Sequence, residues 1–232
     1  ERGLDPTLGE KWPTLHRAAF YGPVGRLCEV ILPTTEADAA GLVVNALVML
    51  GNAVNRGPFV RAGAWQYTNF FTVTVGKTST GRKGTATDAI GRVMERVAPQ
   101  WVKESRTSGA STGEGMIARI TDGSNTEPAV ENKTVCFIES ECTATSRRAA
   151  ADGNTLGEVM RDAADGVTMR TTTRKSPQVA TNPMVSFVGH ITASEFGAVL
   201  AEKNKTNGFI NRFGIGLVRR SKLLPDPVDP DA

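Results

Sequence analysis

One stretch of the chain combines glycines, hydroxyls and cations in an order that suits phosphate chemistry. Val75-Gly76-Lys77-Thr78-Ser79-Thr80-Gly81-Arg82-Lys83-Gly84-Thr85 lies between an apolar run and an amphipathic one. Cradling a phosphate needs such a setting, because glycines let backbone N–H groups turn inward and a helix N-terminus adds positive potential. Lys83 suits a point charge on β- and γ-phosphates, and Thr85 suits a hydroxyl that reaches Mg²⁺. Gly76, Gly81, Arg82 and Gly84 complete the candidate loop. The pattern departs from Gly-x₄-Gly-Lys-Ser/Thr: Arg82 intervenes before Lys83, and Gly84 after it. A basic surface turn is the plainer alternative.

Two further stretches carry matching chemistry. Ile138-Glu139-Ser140-Glu141 closes an apolar run, so Glu139 suits the metal and Glu141 the orientation of an attacking water. In extended backbone the two share a face; a solvated loop is the alternative. Gly189-His190-Ile191-Thr192 follows another apolar run. His190 and Thr192 are candidates to sense a γ-phosphate, with a structural histidine and a helix cap as their plain readings. Arg212 is a candidate arginine finger for a neighbouring subunit, against a local ion pair. Arg219-Arg220-Ser221-Lys222 is a cationic cluster or a solvated face, and Ser108 to Gly115, with Glu114, reads equally as an anion contact or as a turn and cap.

These residues need elements to hold them. Trp12, Leu15, Ala18 and Ala19 recur at helical spacing until Gly22-Pro23, and a second helix starts after Thr34 or Thr35 and runs to Asn55. Strands are expected at 70–75, 134–138, 184–188 and 215–218, with a weaker one at 101–105. Helices are expected after Thr85, at 112–120, at 154–164 and at 193–202. Apolar runs separated by helices predict an α/β fold with a mainly parallel sheet covered on both faces. Ligands in such sheets sit beyond the C-terminal strand ends, where all three polar stretches fall. The expected organisation is a helical segment at 12–57, a core at 58–225 and a linker or tail at 226–232.

Composition excludes several classes. The 232 residues are 40% hydrophobic and 22% charged, which excludes a disordered chain. The longest apolar stretch, 39–50, is interrupted by Asn45 and too short to span a bilayer. A net charge of +3 is too small to indicate a nucleic-acid partner by itself. Cys28, Cys136 and Cys142 have no metal-type spacing and read as buried free thiols, so a reducing cytoplasm is the expected location. The missing initiator Met and the Pro/Asp-rich end suggest a domain of a longer protein.

The same pieces, in this order, resemble a P-loop domain of phage, plasmid and prophage proteins that is described as helicase-like and often lies downstream of a primase-polymerase module. The resemblance rests on stretches that include His16–Gly22, Gly51-Asn52-Ala53, Gly81-Arg82-Lys83-Gly84-Thr85, Ser111–Gly115, Glu139-Ser140-Glu141, Gly189–Thr192, Gly208–Phe213 and Arg219–Pro225. It implies that the Gly-Arg-Lys-Gly order is a family feature, and that Glu139 and Glu141 are the family's acidic pair. It also implies a RecA/AAA+-type core that binds ATP and Mg²⁺, forms a ring-like homo-oligomer on single-stranded or duplex DNA, and uses the region of Arg212 as an arginine finger. The expected activity is a helicase-type ATPase. A nucleotide-binding oligomerisation module with little hydrolysis is the second reading, and a small-molecule kinase a third.

Overall fold

The apolar runs at 71–75, 134–139 and 184–191 become the three central strands of one sheet. The structure is a computed structural model that describes residues 12–124, 127–151, 153–171, 177–201 and 208–224. Helices α1 (Gly22–Ile31) and α2 (Ala39–Ala53) come first, followed by a hairpin of β1 (Phe59–Ala62) and β2 (Ala64–Tyr67). Then follow β3 (Phe71–Val75), α3 (Lys83–Val97), α4 (Pro99–Glu104), β4 (Arg106–Thr107), α5 (Gly113–Ala118) and β5 (Thr134–Glu139). The remainder is α6 (Cys142–Ala150), α7 (Leu156–Ala164), the small pair β6 (Met169–Thr171) and β7 (Gln178–Ala180), β8 (Met184–Ile191), α8 (Ala193–Ala201) and β9 (Phe213–Leu217).

The main sheet has the order β4-β5-β8-β3-β9, and every pairing in it is parallel. The fold is α/β with helices on both faces, consistent with a Rossmann/RecA-like core. Side chains alternate along each strand, so the sheet feeds two cores. Phe71, Val73, Val135, Phe137 and Phe187 pack with α5, α7 and α8 on one face. Cys136 and Val188 pack with α2, α3 and Trp101 on the other. Asn52 of α2 spans the second core: its amide donates to the carbonyls of Val135 and Met184 and to Ser186 Oγ, and its oxygen accepts from Trp101 Nε1. A buried amide with its partners all met fixes how α2 lies across β5 and β8.

Several local expectations change. Residues 12–19 hold only a 3₁₀ turn at Arg17–Ala19, not a helical run. Gly22-Pro23 opens α1 rather than breaking it, since proline's fixed φ suits a first turn. Of the segment 101–105, expected as a strand, residues 101–104 lie in α4, which starts on Pro99, and Ser105 caps it; the strand is only Arg106–Thr107. The hairpin β1–β2, α6 and the β6–β7 pair were not anticipated. The expected tail at 226–232 and the last residue of the helix expected at 193–202 lie outside the described residues. The three cysteines are free and buried, and among the described residues no helix is long and apolar enough to cross a membrane.

Candidate functional site

Adjacent strands β3 and β8 send the chain to opposite faces of the sheet. From β3 it enters α3, which packs in the core containing α2, and from β8 it enters α8 on the other side. Diverging connections leave a crevice beyond the two C-terminal strand ends, the place where open α/β sheets take ligands. A cleft of about 480 Å³ lies there. The start of α3, the turn Ser140-Glu141 between β5 and α6, and the end of β8 with the first turn of α8 form its walls.

The floor of the cleft is the loop at 76–82. Gly76 N–H donates to Ile191 O, which ties the loop's first residue to β8. Glycine is needed here: a Cβ on Gly76 would sit 2.5 Å from Val218 O, and one on Gly81 would sit 2.6 Å from Lys77 O. Ser79 and Arg82 adopt left-handed backbone, with φ of 58° and 50°. A left-handed residue next to a right-handed one, as at Arg82 and the first residue of α3, turns successive N–H groups to one side, the geometry of anion-binding concavities. No side chain caps α3, so among the described residues the N–H groups of Lys83, Gly84 and Thr85 have no acceptor. Nothing lies within 4 Å of the place where a Cβ on Gly84 would point.

Charge in the cleft is mixed and ordered. Lys83 Nζ folds back onto the carbonyls of Gly76 at 2.6 Å and Lys77 at 3.2 Å. Burial pushes its pKa down, opposed by the Glu195 carboxylate. Glu195 Oε2 accepts from the Thr192 hydroxyl at 2.7 Å and from Thr192 N–H at 3.0 Å, while Thr192 Oγ1 accepts from Glu195 N–H. That reciprocal pair is a capping box at the start of α8, so Thr192 is a helix cap. The hydrogen bonds from the Thr192 side chain and backbone, with Thr143 and the charge of Lys83, hold Glu195 below the usual carboxylate range.

His190 is buried on the wall and its Nε2 lies 2.9 Å from Thr87 Oγ1. Thr87 in turn reaches Asn45 Oδ1 at 2.9 Å, and Asn45 Nδ2 donates to Gly41 O. An amide oxygen only accepts, so the threonine proton goes to Asn45 and the ring supplies Nε2–H to Thr87. Burial, reinforced by the charge of Lys83, lowers the imidazole pKa to about 4, so the ring is neutral near pH 7.

Of the expected site residues, the structure gathers Arg82, Lys83, Gly84, Thr85, Glu141, His190 and Thr192 around the cleft. Glu141 is exposed and precedes α6, so it is not an extension of β5 as expected. Glu139 turns away: its Oε1 accepts the N–H groups of Gly109 and Ala110 at 2.6 and 2.8 Å. Glu114 accepts from Thr155, and Thr112 caps Gly115. The chain matches no family model and no curated protein.

Arg212 stands apart. It precedes β9 and so lies at the opposite end of the sheet, about 15 Å of strand away from the cleft. Its guanidinium makes a bidentate pair with Asp165 at 2.9 and 2.6 Å and also donates to Gly208 O, which is the local ion-pair alternative. Arg220 pairs with Glu36 at 3.4 Å, Arg219 lies 5.2 Å over the Trp12 ring, and Lys222 donates to the carbonyls of Leu32 and Pro33. Arg82 also takes Glu36, at 2.5 Å, and this clamps the loop to the segment before α2. Glu195 was missed from the sequence, although Thr192-x-x-Glu195 is a capping-box spacing that marks a helix start beside a strand end.

Proposed function

We propose that the cleft binds ATP through its phosphates and that the chain hydrolyses it as a helicase-type P-loop ATPase acting on DNA as an oligomer. The observation that carries this reading is the uncapped start of α3: three free N–H groups and Lys83 converge on a cleft at the β3/β8 crevice. Free N–H groups at a helix N-terminus beside a cation make an anion site. The cleft has the size of an ordinary small-molecule pocket. DNA, the oligomer and the choice of ATP rest on the resemblance of the sequence stretches.

In this reading the N–H groups of Lys83, Gly84 and Thr85 hold phosphate oxygens. The Lys83 ammonium exchanges the Gly76 and Lys77 carbonyls for phosphate oxygens. Among the described residues no three His, Cys, Asp or Glu side chains cluster to hold a metal. Nucleotide-bound Mg²⁺ needs only one or two protein ligands, and Thr85 with Glu141 or Glu195 fits that need. Magnesium would supply charge neutralisation between the β- and γ-phosphates. Glu141, exposed at the rim, orients water and accepts its proton. Neutral His190, held by Thr87, offers its second ring nitrogen as an acceptor. Arg212 has no part in this cleft.

A specific observation favours the second reading, a nucleotide-binding module with little hydrolysis: the carboxylate expected to hold the metal, Glu139, is engaged by Gly109 and Ala110. The deciding measurement is ATP affinity and turnover of the full chain, with and without single-stranded DNA. Lys83→Ala is expected to weaken binding on the order of 10- to 100-fold, the scale of a lost charge-assisted hydrogen bond. Glu141→Gln is expected to bind normally and turn over about 100-fold or more slower. Equal, inert turnover in all three while the wild type still binds nucleotide selects the second reading; no nucleotide binding by the wild type ends both.

A further inference from the structure

The hairpin of β1 and β2 carries aromatic side chains that contribute to neither core. Its register pairs Phe59 with Tyr67 and Arg61 with Trp65. Paired residues and those two apart share a face, so all four stand on one side of the ribbon. Phe59 meets Trp65 at 4.5 Å and Tyr67 at 6.2 Å between ring centroids. Arg61 lies 5.0 Å over the Trp65 ring, and Arg56 lies 3.7 Å over Tyr67. Phe59 and Trp65 nevertheless keep 49% and 50% of their surface exposed. Scattered apolar residues on a surface are ordinary, but a contiguous strip of three rings and two guanidiniums is not.

Charge narrows what the strip can hold. Residues 39–87 contain no Asp or Glu, yet include Arg56, Arg61, Lys77, Arg82 and Lys83. Neither Arg56 nor Arg61 pairs with a carboxylate among the described residues. Arg56 is braced instead by the carbonyls of Gly166 and Pro183, which fixes its place over Tyr67 without neutralising it. Exposed rings interleaved with unneutralised guanidiniums are the parts of a stacking surface for single strands: each base offers a π-face, and the cations meet the phosphates. An acidic or aliphatic partner fits less well, since the exposed aliphatic residues of the hairpin, Val60, Ala62 and Ala64, lie on its other side.

We propose that Phe59, Arg61, Trp65 and Tyr67 form a docking face for single-stranded nucleic acid. This deepens the proposed function, on whose DNA partner it rests, and gives that partner a surface separate from the nucleotide cleft. The strip stacks successive bases, and Arg61 and Arg56 follow the backbone.

The test uses the full chain, a labelled dT oligonucleotide of about 20 nucleotides, longer than the roughly 4–16 a comparable binding fold covers, and a fluorescent ATP analogue in parallel. Wild type is expected to bind the oligonucleotide with an affinity that falls as salt rises. Trp65→Ala is expected to weaken it about 5- to 100-fold, and Trp65→Phe to restore most of the loss. Both variants should bind the ATP analogue as wild type does and keep its unfolding midpoint, because the side chain lies outside both cores. Indifference of oligonucleotide binding to Trp65→Ala overturns the inference, as does a folded wild type that binds no oligonucleotide. Concentration-dependent self-association abolished by Trp65→Ala also overturns it, by making the strip a contact between copies. Loss of ATP-analogue binding with the Trp65 pattern intact defeats the proposed function and leaves this face standing.

Discussion

Two glycine-rich loops enter helices beyond the C-terminal ends of the sheet strands, and they handle their backbone donors in opposite ways. The loop at 76–82 runs into α3, fifteen residues long and without a capping side chain. The loop at 108–112 runs into α5, six residues long and capped by Thr112 on Gly115. The second loop also spends the N–H groups of Gly109 and Ala110 on the Glu139 carboxylate. One loop has an anion from its own chain; the other has free donors, a lysine and an open cleft. Glycine content is similar, so what sets the proposed anion-binding loop apart from the structural one is which N–H groups remain unsatisfied.

Alanine substitution of one glycine in the first turn of α3 and one in the second loop breaks this contrast most directly. A Cβ on Gly84 meets nothing in the protein, so Gly84→Ala should leave stability unchanged or raise it by up to about 1 kcal/mol through helix propensity. The methyl would occupy the space where a phosphate must approach the backbone, and ATP affinity is expected to fall on the order of 100-fold. Gly109 has a φ of +81°, so Gly109→Ala should cost about 1–2 kcal/mol in stability and leave affinity alone. Calorimetric binding and urea unfolding on the same samples read both. Gly84→Ala binding ATP as well as wild type would remove the phosphate site from α3.

The second expected effect concerns how the first loop is anchored. His190 reaches α3 through Thr87, and burial with the nearby Lys83 charge lowers its pKa from 6.5 to about 4. The unfolded chain therefore binds a proton at higher pH than the folded one, so this contribution is full above pH 6.5 and is lost as pH falls towards 4. Between pH 7 and 5 the loss should be about 2 kcal/mol. Urea unfolding of wild type and His190→Gln at both pH values measures it. The variant should show a flatter dependence; an equal slope in the two proteins would mean the ring is not buried as a neutral group.

Sequence could place the first loop because strands covered on both faces read as continuous apolar runs. Phe71–Val75 and Thr134–Glu139 were legible for that reason. It misplaced α4, whose Trp101 and Val102 look like strand residues in a six-residue window; Pro99 at its first turn was the overlooked signal. Small residues hid α6, which has little apolar periodicity for a helix pattern to catch. The hairpin escaped because its rings face outward rather than towards a core. The local ion pair of Arg212 was legible only as an alternative, and the partners of Glu139 and Arg212 were not, since a carboxylate's partner thirty residues back and a guanidinium's partner forty-seven back are matters of packing.

Glu139 offers a smaller effect with a clear direction. Glu139→Ala leaves two N–H groups of the second loop without their acceptor at a partly exposed site, so a stability loss of about 1–2 kcal/mol is expected. ATP affinity and turnover should be near wild type. If turnover instead collapses while the unfolding midpoint holds, Glu139 serves the metal and the contrast between the loops fails at its centre.

The smallest expected effect isolates the backbone of the first loop from its ion pair. Arg82 does two things: its side chain pairs with Glu36 at 2.5 Å, and its backbone sits in the left-handed region at φ 50°. Arg82→Ala removes the pair and keeps the strain, whereas Arg82→Gly removes both. Arg82 and Glu36 are 34% and 16% exposed, so solvent screening keeps the pair's share near or below about 1 kcal/mol. Left-handed backbone costs a non-glycine residue about 1 kcal/mol more than glycine. Arg82→Gly should therefore be more stable than Arg82→Ala by about 1 kcal/mol in urea unfolding, with wild type close to Arg82→Gly. Both variants free the loop from the segment before α2, so both should bind ATP a few-fold more weakly. Equal stability of the two variants would mean that the loop relaxes out of the left-handed turn once Glu36 lets go, and that the ion pair, not the glycines, sets the direction of its N–H groups.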